Sequence, residues 1–176
     1  NCKVLLFVRD CYILMVQTEV GRMSQAPSLY NIPNGQGMEI NMLKLIVGVR
    51  GTGKTKEIVS LANAAANESK GCVVFLEQGN KLRFDVTHKV RLVDTCEFGI
   101  MDGQSLYGFV AGIYASNHDI TDIFIDSALK ICQNSMDEFI LAVKELDAFV
   151  SKYPVNCVMT SSIPVEDVRE ELKAYI

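Results

Sequence analysis

The sequence of 176 residues lacks tryptophan, contains only two histidines, and has no Cys-x-x-Cys pair among its six cysteines. Neither His88 nor His118 has the neighbouring cysteine or carboxylate pattern of a metal site, and the cysteines do not follow zinc-ligand spacing. We therefore expect neither a structural zinc site nor a disulfide framework. Cys72 and Cys157 fall within predicted buried strands, and we expect both to be small core residues in a reducing compartment.

Long apolar runs and an excess of basic charge are also missing. No run reaches the ~20 apolar residues that a membrane-spanning helix needs. The chain carries 17 basic and 21 acidic residues, and its net charge of −4 opposes bulk capture of nucleic acid. A basic cluster between Lys81 and Arg91 is interrupted by Asp85 and is typical of a solvated strand face. We expect a cytoplasmic globular protein with no membrane partner and no clear nucleic-acid site.

Residues 1–41 do not fit the start of a folded domain. Their two apolar stretches are short, and residues 21–41 are rich in Gly, Ser, Pro, Asn and Gln, which is typical of a loop. If the codon for Glu39 is GAG, a GGAG tract precedes the Met42 codon by roughly six nucleotides, as a bacterial ribosome-binding site does. We interpret residues 1–41 as an N-terminal extension, either non-native upstream translation or a disordered segment, and residues 42–176 as the domain. The alternative is a genuine β-hairpin extension.

The most informative segment reads Leu-Lys-Leu-Ile-Val-Gly-Val-Arg-Gly-Thr-Gly-Lys-Thr at residues 43–55. An apolar strand runs here into the pattern Gly-x-x-x-x-Gly-Lys-Thr, the phosphate-binding loop of nucleoside-triphosphate-binding proteins. Its glycines let the backbone turn tightly and direct N–H groups at an anion, and the helix that begins near Lys54 adds the positive end of its dipole. In this motif Lys54 reaches the β- and γ-phosphates, and the Thr55 hydroxyl holds Mg²⁺. The predicted nucleotide-binding residues are Gly48, Val49, Arg50, Gly51, Thr52, Gly53, Lys54, Thr55 and Lys56.

Beyond the loop, short β-branched runs alternate with segments of helical periodicity. This alternation predicts a three-layer α/β/α sandwich around a mainly parallel sheet of about five strands, with the phosphate-binding loop after the first. Ser135 and Glu138 form a predicted capping box at the start of a helix, and Pro164 begins a predicted closing helix through Leu172. The predicted strands lie at residues 43–47, 72–76, 89–94, 120–126 and 155–160.

Two acidic residues close predicted strands and are candidates for the chemistry. Asp126 follows the apolar lead-in Ile-Phe-Ile, which is typical of the aspartate that anchors Mg²⁺ across from Thr55. Its alternative role is to cap the turn after the strand. Glu77 ends the strand after the first helix and is a candidate general base acting through one water, or alternatively a solvated acid in a loop corner. Ser127 stands next to Asp126, where many P-loop ATPases place a catalytic glutamate.

The order of loop, helix, strand-ending Glu77 and strand-ending Asp126 resembles the core of RecA-type recombinases within the P-loop NTPase superfamily. The resemblance covers the nucleotide core alone, since the recombinase oligomerisation segment and DNA-binding loops have no counterpart in the sequence. It implies that ATP and Mg²⁺ are the ligands and that Glu77 activates the attacking water, with Thr160, Ser161 or Ser162 at the position of a γ-phosphate sensor. The sequence has no Asn-Lys-x-Asp motif for guanine, which favours ATP over GTP.

We therefore expect a small bacterial ATP-binding protein that hydrolyses ATP slowly or on activation by an unidentified protein partner. A small nucleoside or nucleotide kinase is one alternative, although the sequence lacks the zinc-binding cysteines of thymidine kinases and their glutamate after the metal-binding acid. A nucleotide-sensing module without catalysis is the other alternative. Arg91 and Arg169 are candidate arginine fingers, which act only in an oligomer.

Overall fold

The computed structural model describes residues 42–176, and the predictions for residues 1–41 lie outside this range. The strands are β1 (Leu43–Val47), β2 (Cys72–Glu77), β3 (Val90–Asp94), β4 (Ile120–Ile125) and β5 (Asn156–Ser161). The helices are α1 (Lys54–Glu68), α2 (Gly103–Ser116), α3 (Ala128–Ile131) and α4 (Met136–Val150), followed by two 3₁₀ helices at Val165–Asp167 and Glu170–Tyr175. None of the helices between residues 42 and 176 combines the length and apolarity that a bilayer span requires.

All five strands are parallel and form one sheet in the order β1-β5-β4-β2-β3. On one face, apolar side chains of the central strands pack with α2 and α4 in the main core; they are Val74, Leu76, Ile123, Ile125, Cys157 and Met159. On the other face, Phe75 and Phe124 stack with ring centroids 6.3 Å apart, and α1 buries its own apolar stripe against the sheet. The predicted three-layer α/β/α fold around a parallel sheet is thus confirmed.

Strand register brings polar residues together at the carboxyl edge of the sheet. Leu76 of β2 pairs with Ile125 of β4, which pairs with Met159 of β5. The residues that follow these three are Glu77, Asp126 and Thr160. Because side chains alternate along a strand, all three belong to the face that α1 covers. This edge is also where β1 ends and the glycine-rich loop begins.

Two predictions about packing and helix formation are wrong. Cys72 is exposed because it is the first residue of β2 and lies at the rim of the sheet, whereas Cys157 is buried as predicted. The closing helix from Pro164 is replaced by the two 3₁₀ helices, with extended backbone at Val168 between them. Val168 and Leu172 still bury their side chains, so the apolar spacing reflects burial without an α-helix.

The capping box predicted at Ser135 and Glu138 forms only in part. The Ser135 hydroxyl accepts the N–H of Glu138 at 3.4 Å. The Glu138 carboxylate, however, accepts the N–H of Gly103 at 3.0 Å, at the start of α2. A Cβ at position 103 would collide with the Glu138 carbonyl oxygen, so glycine permits this close approach of α2 and α4.

Candidate functional site

The segment between β1 and α1 folds into a tight loop at the carboxyl edge of the sheet. Gly51 and Gly53 both have φ of 90°, in the left-handed region that residues with a Cβ rarely adopt. Gly53 is the N-cap residue of α1 and, as a glycine, offers no side chain to cap the first N–H groups of this helix. These uncapped N–H groups and the helix dipole favour negative charge next to the loop.

Lys54 is the first residue of α1, and its side chain folds back over the loop. Its Nζ donates hydrogen bonds to the carbonyl oxygens of Gly48 and Val49, each at 2.8 Å, and to Thr52 Oγ1 at 3.3 Å. The residue is only 9% exposed, and the ion pairs found among residues 42–176 all involve other side chains. Since a buried cation without a counter-charge is costly, an anion bound in the loop would be stabilising.

Asp126 directly follows β4 and accepts hydrogen bonds from three side-chain hydroxyl groups. Its Oδ1 accepts from Thr55 Oγ1 at 3.1 Å and from Thr160 Oγ1 at 2.8 Å. Its Oδ2 accepts from Ser127 Oγ at 3.0 Å. Asp126 is 9% exposed, so these bonds replace most of the water that an ionised carboxylate would otherwise hold. The fold therefore brings Thr55 and Asp126, the two predicted metal ligands, into direct contact.

A cavity of about 670 Å³ opens beside these residues, within the size range of small-molecule sites. Among residues 42–176, its lining contains five cationic residues and no acidic one, and we call it the cation-lined cavity. Because the whole chain has a net charge of −4, this concentration of positive charge is local. Such surroundings favour a polyanionic ligand. The lining residues are Arg50, Gly51, Gly53, Lys54, Thr55, Lys56, Lys81, Ser127, Leu129, Lys130, Asn134, Thr160 and Ser162.

Glu77 ends β2, the strand that flanks β4 on the side away from β5. It is 3% exposed and does not line the cation-lined cavity. Its carboxylate accepts the main-chain N–H of Lys81 at 3.2 Å and that of Leu82 at 3.3 Å. Burial raises the pKa of Glu77, and the charges of Asp94 and Asp126 act in the same direction, while the two N–H bonds oppose them.

The residues predicted to bind nucleotide divide into two groups. Those that line the cation-lined cavity are Arg50, Gly51, Gly53, Lys54, Thr55 and Lys56. Gly48, Val49 and Thr52 lie outside the lining and instead hold the Lys54 ammonium group. The predicted loop thus acts as one unit, in which one part faces the cavity and the other orients its lysine.

The remaining candidates also separate. Thr160 and Ser162 line the cavity, whereas Ser161 is fully buried and its Oγ has no hydrogen-bond partner among residues 42–176. Arg169 pairs with Asp137 at 2.6 Å and does not line the cavity. Arg91 also lies outside the lining. Neither arginine therefore contributes to this cavity within one chain.

Five lining residues are not among the predicted site residues, namely Lys81, Ser127, Leu129, Lys130 and Asn134. The interpretation of Lys81 as part of a solvated strand face is wrong, because β3 begins only at Val90. Lys81 and Lys130 each stand four positions after the acid that ends a strand, a weak signal that carboxyl-edge topology could have supplied. Ser127 and Asn134, on either side of α3, have φ of 57° and 60°. Positive φ at residues other than glycine is uncommon and clusters at functional sites, but it cannot be recognised from serine and asparagine alone.

Comparison with known proteins supports the fold and goes no further. No known family model matches the chain, and a search of curated protein sequences finds no significant match. The structure is similar to the crystal structure of flagellar accessory protein FlaH from Methanocaldococcus jannaschii, with a TM-score of 0.50 and 16% sequence identity over 76% of this chain. The match spans 65% of that protein. At such identity the likeness shows the fold alone, in agreement with a RecA-like three-layer arrangement.

Proposed function

We propose that the protein binds ATP with Mg²⁺ at the cation-lined cavity and hydrolyses it slowly or with the help of a protein partner. The observation that carries this proposal is the buried Lys54 ammonium group, which has no carboxylate partner among residues 42–176. Lys54 shares the cavity lining with Thr55, which is hydrogen-bonded to Asp126. A triphosphate supplies the counter-charge, and the pair supplies oxygen ligands for its metal. ATP, rather than GTP, follows from the missing guanine-reading motif.

The donor set of Thr55 and Asp126 fits Mg²⁺. A hydroxyl and a carboxylate are hard oxygen ligands of the kind this ion prefers. Neighbouring ligands on an octahedral ion at about 2.1 Å are about 3 Å apart, and the two oxygens are 3.1 Å apart. No cluster of three or more metal-binding side chains occurs within residues 42–176, which agrees with an ion that takes its other ligands from phosphate and water. When bound, Mg²⁺ would offset charge on the phosphate oxygens.

The protein's own groups divide the remaining tasks of hydrolysis. The loop N–H groups and Lys54 bind the phosphates and stabilise the negative charge that develops on their oxygens. Glu77 is the candidate for orienting and deprotonating the attacking water. Burial raises the pKa of its carboxyl group, which favours proton acceptance, but the carboxylate is 3% exposed, lies outside the cavity lining and already accepts two main-chain N–H groups. That engagement supports slow turnover without a partner.

The substitution Lys54→Ala tests the binding site. We expect ATP affinity to fall about 100-fold, because a charge-assisted contact to phosphate is lost from a buried position. Lys144→Ala, on the exposed side of α4 and outside the cavity, is the matched control and should bind ATP like the unaltered protein. Affinity is measured by calorimetric titration with Mg²⁺-ATP, and thermal unfolding verifies that both variants fold. Equal affinity in the two variants would sink the assignment of the site.

The reaction itself is tested by following phosphate. Release of inorganic phosphate from ATP alone, lost in Lys54→Ala, supports a hydrolase. A phosphorylated product that forms only when a nucleoside or nucleotide is added supports the kinase alternative. Binding without either product supports a nucleotide-sensing module.

A further inference from the structure

The loop between β2 and β3 is fixed at its start by Glu77. The two carboxylate oxygens of Glu77 accept the N–H groups of Lys81 and Leu82, at 3.2 to 3.3 Å. Leu82 buries its side chain next to this contact, with 8% exposed. The backbone at Lys81 is therefore held by a buried acid and an apolar anchor, while the Lys81 side chain is exposed and lines the cation-lined cavity.

The same loop is fixed near its end by α1. Asn63 of α1 donates from Nδ2 to the carbonyl oxygen of Asp85 at 2.9 Å, and its Oδ1 accepts the N–H of Thr87 at 2.8 Å. Both anchors thus belong to elements that carry the candidate site, namely the helix that begins at Lys54 and the strand beside Asp126. The loop is built to hold a defined position relative to the cavity.

Lys81 approaches the cavity from a direction that the glycine-rich loop does not cover. It follows β2, which lies on the far side of β4 from β1. Asp126 follows β4, which lies between β1 and β2 in the sheet, and in the proposed function Asp126 and Thr55 would hold Mg²⁺. A cation on the far side of this pair would lie on the side of a bound terminal phosphate that the glycine-rich loop does not cover. Arg83, two positions along, is exposed and does not line the cavity.

We propose that Lys81 is a further ligand of the terminal phosphate of the nucleotide, and that Glu77 is the residue that positions it. This inference rests on the proposed function, since it assumes that a triphosphate occupies the cation-lined cavity. Lys81 contributes an exposed ammonium group, and Glu77 holds the main chain from which that group extends. In the binding of the nucleotide, as distinct from the activation of water, Glu77 thereby acts through Lys81.

The first experiment compares Lys81→Ala with Arg83→Ala, which removes the same charge from the same loop outside the cavity. Mg²⁺-ATP and Mg²⁺-ADP are each titrated into the full chain. Lys81→Ala should weaken ATP about tenfold and leave ADP affinity unchanged, because ADP lacks the terminal phosphate. Arg83→Ala should change neither affinity. Equal losses for ATP and ADP, or equal losses in the two variants, would overturn the contact.

The second experiment tests the positioning role of Glu77. Glu77→Ala removes both acceptors of the loop N–H groups and should weaken ATP as much as Lys81→Ala does, with no further loss in the double variant. Glu77→Gln keeps one acceptor oxygen and should recover affinity relative to Glu77→Ala. If Glu77→Ala and Lys81→Ala have additive effects, Glu77 does not act through Lys81.

The two levels of proposal fail differently. If the unaltered protein binds neither ATP nor ADP, the proposed function fails and the inference with it. If ATP binding depends on Lys54 but is the same in Lys81→Ala as in the unaltered protein, the proposed function stands and the inference alone is wrong. Because Lys81 is exposed, its truncation leaves the core intact, and the result is not confounded by unfolding.

Discussion

Asp126 and Glu77 are buried acids at the ends of neighbouring strands, yet their hydrogen bonds differ in kind. Within the part of the chain that the structure describes, Asp126 accepts hydrogen bonds from the side-chain hydroxyl groups of Thr55, Thr160 and Ser127. Glu77 accepts hydrogen bonds there from main-chain N–H groups of the loop after β2. Both residues lie on the face that α1 covers, and they are 9% and 3% exposed, so position and burial do not explain the difference.

The two acids differ in how readily they can exchange their hydrogen-bond partners for a ligand. A hydroxyl group rotates and also accepts hydrogen bonds, so the partners of Asp126 can turn toward water, a metal or a phosphate oxygen at small cost. A main-chain N–H is held in position by the backbone, and it can donate a hydrogen bond but cannot accept one. Asp126 is therefore suited to exchange its partners for a ligand, and Glu77 to hold a loop in place. Two acids in one row of the sheet are thus suited to different tasks.

The largest expected effect is the loss of ATP affinity when Asp126 can no longer exchange its hydroxyl partners for a metal ion. In Asp126→Asn the metal loses its charged ligand, so ATP affinity in Mg²⁺ should fall about 100-fold, while affinity in EDTA changes little. Titrations with and without Mg²⁺ measure this difference. Asp122→Asn is the matched control, because Asp122 is equally buried in β4, bonds Asn156 at 3.1 Å and lies outside the cavity. A loss that is the same with and without Mg²⁺ would contradict the metal role.

The next effect concerns stability without nucleotide. Glu77→Ala should lower the free energy of unfolding by about 2 kcal/mol, because two buried N–H groups lose their acceptor. Asp126→Ala should cost less than about 1 kcal/mol, since its hydroxyl partners can turn to water in the adjacent cavity. Urea unfolding of the nucleotide-free variants measures both. If Asp126→Ala proves the more destabilising of the two, the contrast between hydroxyl partners at Asp126 and main-chain N–H partners at Glu77 does not determine stability.

The sequence predicted the parts of the site that depend on local backbone and on strand ends. Gly51 and Gly53 adopt positive φ within the motif, and Asp126 meets Thr55 because parallel strands end at one edge. Lys81 escaped prediction because Glu77 sets its position through contacts that depend on the folded loop. Lys130 escaped because it is in α3, a short helix preceded by Ser127 in the left-handed region.

The same distinction explains the errors in the fold. Short apolar, β-branched runs predicted every strand of residues 42–176, since parallel strands covered on both faces need apolar side chains along most of their length. The segment after Pro164 has apolar residues at helical spacing, but Val165 is exposed, and Val168 and Leu172 are buried separately from extended and 3₁₀ backbone. The sequence predicted that the Glu138 side chain caps the start of its own helix, but its carboxylate accepts the N–H of Gly103 in α2. In both places the structure depends on contacts with residues far apart in the sequence, and the spacing of residues within one segment gives no information about such contacts.

The smallest expected effect is a difference in the pH dependence of stability between the unaltered protein and Glu77→Gln. Burial raises the pKa of Glu77 in the folded protein, so the folded state favours the neutral carboxyl group. The stability that this group contributes is therefore complete below its unfolded pKa and is lost as pH rises through its folded pKa. Glu77→Gln does not titrate at this position, and the other titrating groups are common to both proteins. Urea unfolding between pH 4 and pH 7 should show the unaltered protein losing stability relative to Glu77→Gln as pH rises. If the unaltered protein instead gains stability relative to Glu77→Gln as pH rises, the N–H bonds to the charged carboxylate outweigh the effect of burial. Glu77 would then resemble a carboxylate that binds a ligand more than a buried group that holds a loop.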